Sequence, residues 1–207
     1  ALAESCDTNA NHDFQIILSS KDIIRAVKTI VREKDIDLIV MGTKGTNRAK
    51  EVIFGSNTIN IIKSIKSCPV LMVPDEFDFV EPKQIAFPTD FNRFYSDNEL
   101  NFLKRFVELY NSKIRILHIE FKEELDDIQE YNLSILVKFL SRYEHTFHWM
   151  PNYDKKTEEI NDFIEELDIH ILAMVRYQHS FIEGIVKEPV IKKIGFKPVI
   201  PFLVIPG

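Results

Sequence analysis

Residues Gly42–Ser56, GTKGTNRAKEVIFGS, stand between two apolar runs, and their reading decides the fold. Leu38-Ile39-Val40-Met41 comes before them, led in by Asp35-Ile36-Asp37. Ile59, Ile61, Ile62 and Ile65 follow at helical spacing, and after them comes Pro69-Val70-Leu71-Met72-Val73. The order is strand, glycine loop, helix, strand. Glycine lets backbone amides approach a ligand and adopts positive φ without a Cβ penalty. Ser56, Asn57 and Thr58 are placed to cap the helix, whose open amides and dipole favour an anion. Lys44, Arg48 and Lys50 add positive charge. A phosphate is the expected guest.

The loop is neither a Walker loop, which closes on Gly-Lys-Ser/Thr, nor a GxGxxG turn. Its spacing is Gly42, two residues, Gly45, nine residues, Gly55-Ser56. With SCPVLMVP at 67–74, this resembles the nucleotide-binding motif of the universal stress protein family, without gaps across 42–74. The alternative is a glycine-punctuated surface loop with ordinary helix capping.

The 207 residues allow one large domain or two small ones. A composition 45% hydrophobic and 28% charged suits a globular protein with a real core. The net charge of −6 argues against broad nucleic-acid binding by bulk electrostatics. Cys6 and Cys68, the only two cysteines, fit a reducing compartment without a disulfide framework. Cys68 opens an apolar strand and reads as a small core residue. No apolar run reaches the length of a membrane span, and no signal peptide is visible, so a cytoplasmic location is expected.

Phe14–Leu18 reads as a strand, and Ile23, Ile24, Val27, Ile30 and Val31 as a helical stripe. After Pro74 the segment DEFDFVEPK lacks a period and reads as a linker. From Gln84 onward, strands at 84–88, 113–121, 145–150, 171–175 and 202–205 alternate with helices, the last of which falls between 176 and 201. That order implies a mainly parallel α/β sheet.

An internal repeat sharpens the reading. His12-Asp13-Phe14 matches His145-Thr146-Phe147, and Ile36–Met41 matches Ile169–Met174, both at an offset of 133. Pro69–Pro74 matches Pro201–Pro206 at 132. Residues 12–74 therefore copy the second half of the 84–207 unit.

The resemblance implies a Rossmann-like, open, mostly parallel five-stranded sheet of order 3-2-1-4-5, present here as one complete unit plus the C-terminal half of another. In those terms 1–77 is the C-terminal half of a first domain, 78–83 a linker and 84–207 a second domain. The strand at 14–18 then lacks a neighbour within its own unit: either the chain is a fragment, which is favoured, or another chain or a rearrangement supplies the edge. The last strands of the two units, 69–73 and 201–205, are expected to pair antiparallel, because each would otherwise be an open sheet edge.

The resemblance further implies ATP, with or without Mg, held by Met41, Gly42, Gly45, Gly55, Ser56, Asn57 and Thr58. An acidic residue after the first strand would contact the adenine or ribose end, and Asp90 in FPTDF matches that position in the second unit. Projection by 133 puts Val175 at Gly42, Gln178 at Gly45, Glu188 at Gly55 and Pro189 at Ser56. The second site is thus degenerate, and the first lacks its acidic partner, so ATP binding by this chain is expected to be weak or absent.

Other candidates are weaker. His145 and His148 should face opposite sides of a strand. His118 could approach Asp90 but reads as structural, and Glu123, Glu124, Asp126, Asp127 and Glu130 read as dipole-complementing residues at a helix start. Phe91, Phe94 and Tyr95 could stack on an adenine but more simply cover the sheet end. No catalytic residue and no metal ligand is assigned, and at most slow ATP hydrolysis is expected. The leading function is a nucleotide-responsive stress or signalling module, a homo-oligomer with an unknown protein partner and no nucleic acid or membrane contact. Its rival is a non-enzymatic dimerisation or adaptor protein of the same fold.

Overall fold

The computed structural model describes residues 9–43, 55–75, 77–120, 124–151, 156–177 and 199–207. In chain order the elements are α1 (Ile23–Glu33), β1 (Ile39–Gly42), α2 (Ser56–Ser64), β2 (Val70–Val73), β3 (Gln84–Pro88), α3 (Asp97–Tyr110), β4 (Lys113–Glu120), α4 (Asp127–Leu140), β5 (His145–Pro151), α5 (Lys156–Glu166), β6 (Ile171–Arg176) and β7 (Phe202–Pro206). The helix expected between 176 and 201 lies outside the described residues.

The strands form one seven-stranded sheet of order β1-β2-β7-β6-β3-β4-β5. Its last five strands, β5-β4-β3-β6-β7, reproduce the 3-2-1-4-5 order. The sheet is wider than the expected five strands because β1 and β2 continue it. They join through β2 and β7, which run antiparallel with Leu71 opposite Leu203. The other described pairs are parallel. The two apolar last strands thereby cover each other's edge, as expected.

The repeat holds at the level of single hydrogen bonds. Ile39 pairs with Val70 as Leu172 pairs with Phe202, the register continuing along both pairs. Ile39 N–H donates to Pro69 O at 3.0 Å, and Leu172 N–H to Pro201 O at 3.0 Å. Asp35 and Asp168, 133 positions apart, both take positive φ, 50° and 49°. They end α1 and α5 in the same way, with Ile36 N–H on Val31 O and Ile169 N–H on Ile164 O.

Helices cover both faces of the sheet. One core joins Val31, Ile61, Ile62, Ile160 and Phe163 to Met72, Leu172, Met174, Phe202 and Val204. The other joins Leu100, Leu103, Val107, Leu136 and Leu140 to Ile85, Phe87, Ile116, Ala173, Leu203 and Ile205. Strands packed on both faces must be apolar throughout, and β7 is buried at every position.

The expected strand at Phe14–Leu18 does not form. These residues enter no ladder with the described strands, and Ile16 is 70% and Leu18 92% exposed. Its repeat counterpart belongs to β5, which is held by β4. Without a neighbour to accept its backbone groups, an apolar run has no reason to become a strand.

Candidate nucleotide-binding site

At the carboxyl end of β1, Thr43 N–H donates to Val73 O at 3.0 Å and so extends the ladder past Gly42. The chain returns at Gly55, whose N–H donates to Thr43 O at 2.6 Å. Thr58 is buried, and its Oγ1 donates to Gly42 O at 3.1 Å. These two bonds clamp the end of β1 to the start of α2. Met41, Gly42, Gly55, Ser56, Asn57 and Thr58 are thus brought together, while Gly45, Lys44, Arg48 and Lys50 lie outside the described residues.

Two details differ from the sequence reading. The N-cap of α2 is Gly55, which makes no side-chain cap bond, and Ser56 is the first helical residue. Gly55 has φ −61° and ψ 147°, open to any residue, so positive φ is not the reason for a glycine there. An N-cap without a side chain leaves the first-turn amides without the usual internal acceptor, and leaves room beside them.

In the second half the carboxylate that follows the first strand is held by the chain itself. Asp90 Oδ1 accepts from Tyr177 Oη at 2.9 Å and from Asn92 N–H at 3.0 Å. Arg93 lies 5.0 Å from the Tyr177 ring centre and 5.5 Å from that of Tyr95. Its Nη2 donates to both oxygens of Glu99, at 2.5 and 2.7 Å. Glu99 is buried and also accepts from Ser96 N–H and Oγ, closing the capping box of α3. Burial, followed by the neighbouring Tyr95 and Asp90, pushes the Tyr177 phenol above its ordinary range. Burial likewise raises Tyr95, whose Oη donates to Thr89 Oγ1 at 2.8 Å. Val175, at the Gly42 position, is buried, and a Cβ on Gly207 would stand 2.9 Å from its Cγ1 and from Glu99 Oε1. Gln178, Glu188 and Pro189 lie outside the described residues.

Sequence reasoning missed Tyr177, Arg93 and Glu99. A signal existed for two of them: Tyr177 is two steps past the projected Gly42 position, and Ser96-x-x-Glu99 spells a capping box.

The remaining candidates are structural. His118 is buried, its Nδ1 2.9 Å from Thr89 O, and it stacks on Phe91 at 4.6 Å. Phe91 and Tyr95 are buried and Phe94 is exposed, so the three do not form one aromatic platform. His148 packs on Phe163 in one core while Phe147 packs against the other, so His145 and His148 face opposite sides. Burial, then the charge of Arg115, holds His148 below its ordinary value. Asp126 caps α4, accepting from Ile128 and Gln129 amides. Burial, then Asp37, pushes the Cys68 thiol up to about 11, as an inert core residue requires. Among the described residues no cluster of three or more His, Cys, Asp or Glu could hold a metal. No described helix is long and apolar enough to cross a membrane.

Fold and clamp together define an open α/β protein, covered on both faces, with a glycine-bounded strand-to-helix junction at one carboxyl end. Residues 3–74 match the universal stress protein family. No curated protein sequence matches the chain. Among solved structures it is similar to a universal stress protein from Archaeoglobus fulgidus DSM 4304, with TM-score 0.59 and 18% identity. That match covers 86% of this chain and 64% of the other, so this chain spans less than two thirds of that protein's length. A functionally unknown protein from Pseudomonas aeruginosa PAO1 matches at TM-score 0.56 and 12% identity, covering 90% of this chain and 68% of the other. At such identities the likeness is one of fold. The chain thus has the open α/β fold of these structures, and its first 74 residues carry the match to the family.

Proposed function

We propose that this is a stress-response protein of the universal stress type whose first half holds the phosphates of ATP at the β1–α2 junction. The observation that carries the reading is the clamp: Thr58 on Gly42 and Gly55 on Thr43 bring a strand end and an uncapped helix start together. Helix amides and the positive end of the dipole suit an anion, and the donor set present fits a phosphate. A glycine at position 55, where backbone conformation does not demand one, fits the close approach of a ligand.

In this reading residues 1–77 and 84–207 are two units of one tandem design, and the second has given up nucleotide. Asp90 is taken by Tyr177, and the space beside it by Arg93 and Glu99. The second unit then serves to extend and cap the sheet, which is what the antiparallel β2–β7 pairing supports. That pairing is also the observation that favours the rival reading, an adaptor that binds no nucleotide.

Calorimetric titration of the whole chain with ATP tests the proposal. The expected result is weak, saturable binding that Gly55→Glu removes. A carboxylate placed beside phosphate oxygens costs roughly 1–4 kcal/mol in a partly screened site, a loss of about ten- to several-hundred-fold in affinity. Absence of binding, or binding that Gly55→Glu leaves intact, would reject the assignment and favour the adaptor.

A further inference from the structure

We infer that the cleft between the α2–β2 corner and α3 binds a small organic anion, a carboxylate or a phosphate ester. The cleft has a volume of about 360 Å³, with Lys66 and Ser67 on the corner and Asn98, Asn101, Phe102 and Arg105 on the helix. The four helix residues recur at i, i+3, i+4 and i+7, so they form one stripe of α3.

The charge of this place runs against that of the molecule. The chain carries −6, yet Glu99, which lines the cleft, and Asp37, which pairs with its Arg105, are already neutralised by partners of their own. Glu99 is held by Arg93 and by the Ser96 amide and hydroxyl. Asp37 is paired with Arg105. Lys66 is exposed, and among the described lining residues its charge is the one left uncompensated. The amides of Asn98 and Asn101 and the hydroxyl of Ser67 can donate to an oxyanion. Phe102 is half-buried and offers an apolar wall for a short organic body.

This place is separate from the proposed phosphate cradle. Gly55 begins α2, while Lys66 and Ser67 follow its far end. A helix of nine residues spans about 13 Å at 1.5 Å per residue. A ligand in the cleft touches the corner that leads into β2 and the helix that packs beside β7, so it ties the two halves of the sheet across their antiparallel seam.

The test is a titration of the nitrogen-15-labelled whole chain with inorganic phosphate and, separately, with succinate. The side-chain amides of Asn98 and Asn101 and the backbone amide of Ser67 are followed by NMR. Saturable shifts in these signals are expected with at least one of the two anions, and the responding anion tells a phosphate ester from a carboxylate. Lys66→Glu should weaken that binding at least tenfold, and Asn101→Leu should weaken it in a chain whose surface charge is unchanged. Gly55→Glu should leave it unaltered, whatever it does to ATP. No shift at the three reporters, equal affinity in Lys66→Glu, or shifts confined to residues 55–58 would overturn the inference.

Discussion

Asp90, just past β3, and Tyr177, just past β6, are joined by one hydrogen bond of 2.9 Å. Tyr177→Phe keeps the ring over Arg93 but leaves a half-buried carboxylate one donor short, which should cost about 1–2 kcal/mol by chemical denaturation. The alkaline limb of stability should also change. The phenol of Tyr177 is raised in the folded protein by burial first, then by Tyr95 and Asp90. Its contribution is therefore complete below the ordinary tyrosine value of about 10 and is lost as pH rises above it. A stability profile from pH 9 to 11 should fall less steeply in Tyr177→Phe, and an unchanged slope would contradict the assignment. Glu99→Ala removes the bidentate partner of Arg93 and half of the α3 capping box. The guanidinium would remain between two rings without its counter-charge, and a loss of about 2–4 kcal/mol is expected. None of this was visible in the motif, because a carboxylate after a strand looks the same whether a ligand or a tyrosine will occupy it.

Among the elements, β1 and β6 make the most informative pair, because the same repeat position lives in two environments. Val40 is 60% exposed on a sheet with no described strand beyond β1, while its counterpart Ala173 is 0% exposed between β3 and β7. Val40→Asp should alter stability by less than about 0.5 kcal/mol, as an exposed site does. Ala173→Asp buries an unpaired carboxylate and should prevent folding, as judged by loss of the cooperative thermal transition. A large effect at Val40 would mean that something covers this edge in solution. Periodicity and the repeat made the pairing of β1 with β2 and of β6 with β7 legible, since matched apolar runs at one offset demand matched registers. The same evidence misled at Phe14–Leu18, whose residues suit a strand but have no neighbour among the described strands. A strand is a property of a pair, and sequence pattern describes one member. The cap of α2 was misplaced for a local reason: Ser56, Asn57 and Thr58 all suit capping, yet the Thr58 hydroxyl is drawn to Gly42 and the chain enters the helix at Gly55.

At the scale of the molecule, two halves join in one seven-stranded sheet. The first keeps a glycine-bounded junction at the end of β1, and in the second Asp90 is held by Tyr177 while Arg93 pairs with Glu99. The seam between them, with Leu71 opposite Leu203, was expected because two apolar edges otherwise face water. The width of the sheet followed from that join. The central claim is that nucleotide, where it binds, belongs to the first half. It is tested most directly by ATP titrations of Gly55→Glu and Asp90→Ala side by side with the unaltered chain. Gly55→Glu should lose at least tenfold in affinity while Asp90→Ala stays within about twofold, because the Asp90 carboxylate already serves Tyr177. Loss of binding in Asp90→Ala, with Gly55→Glu unaffected, would place the nucleotide in the second half and contradict it.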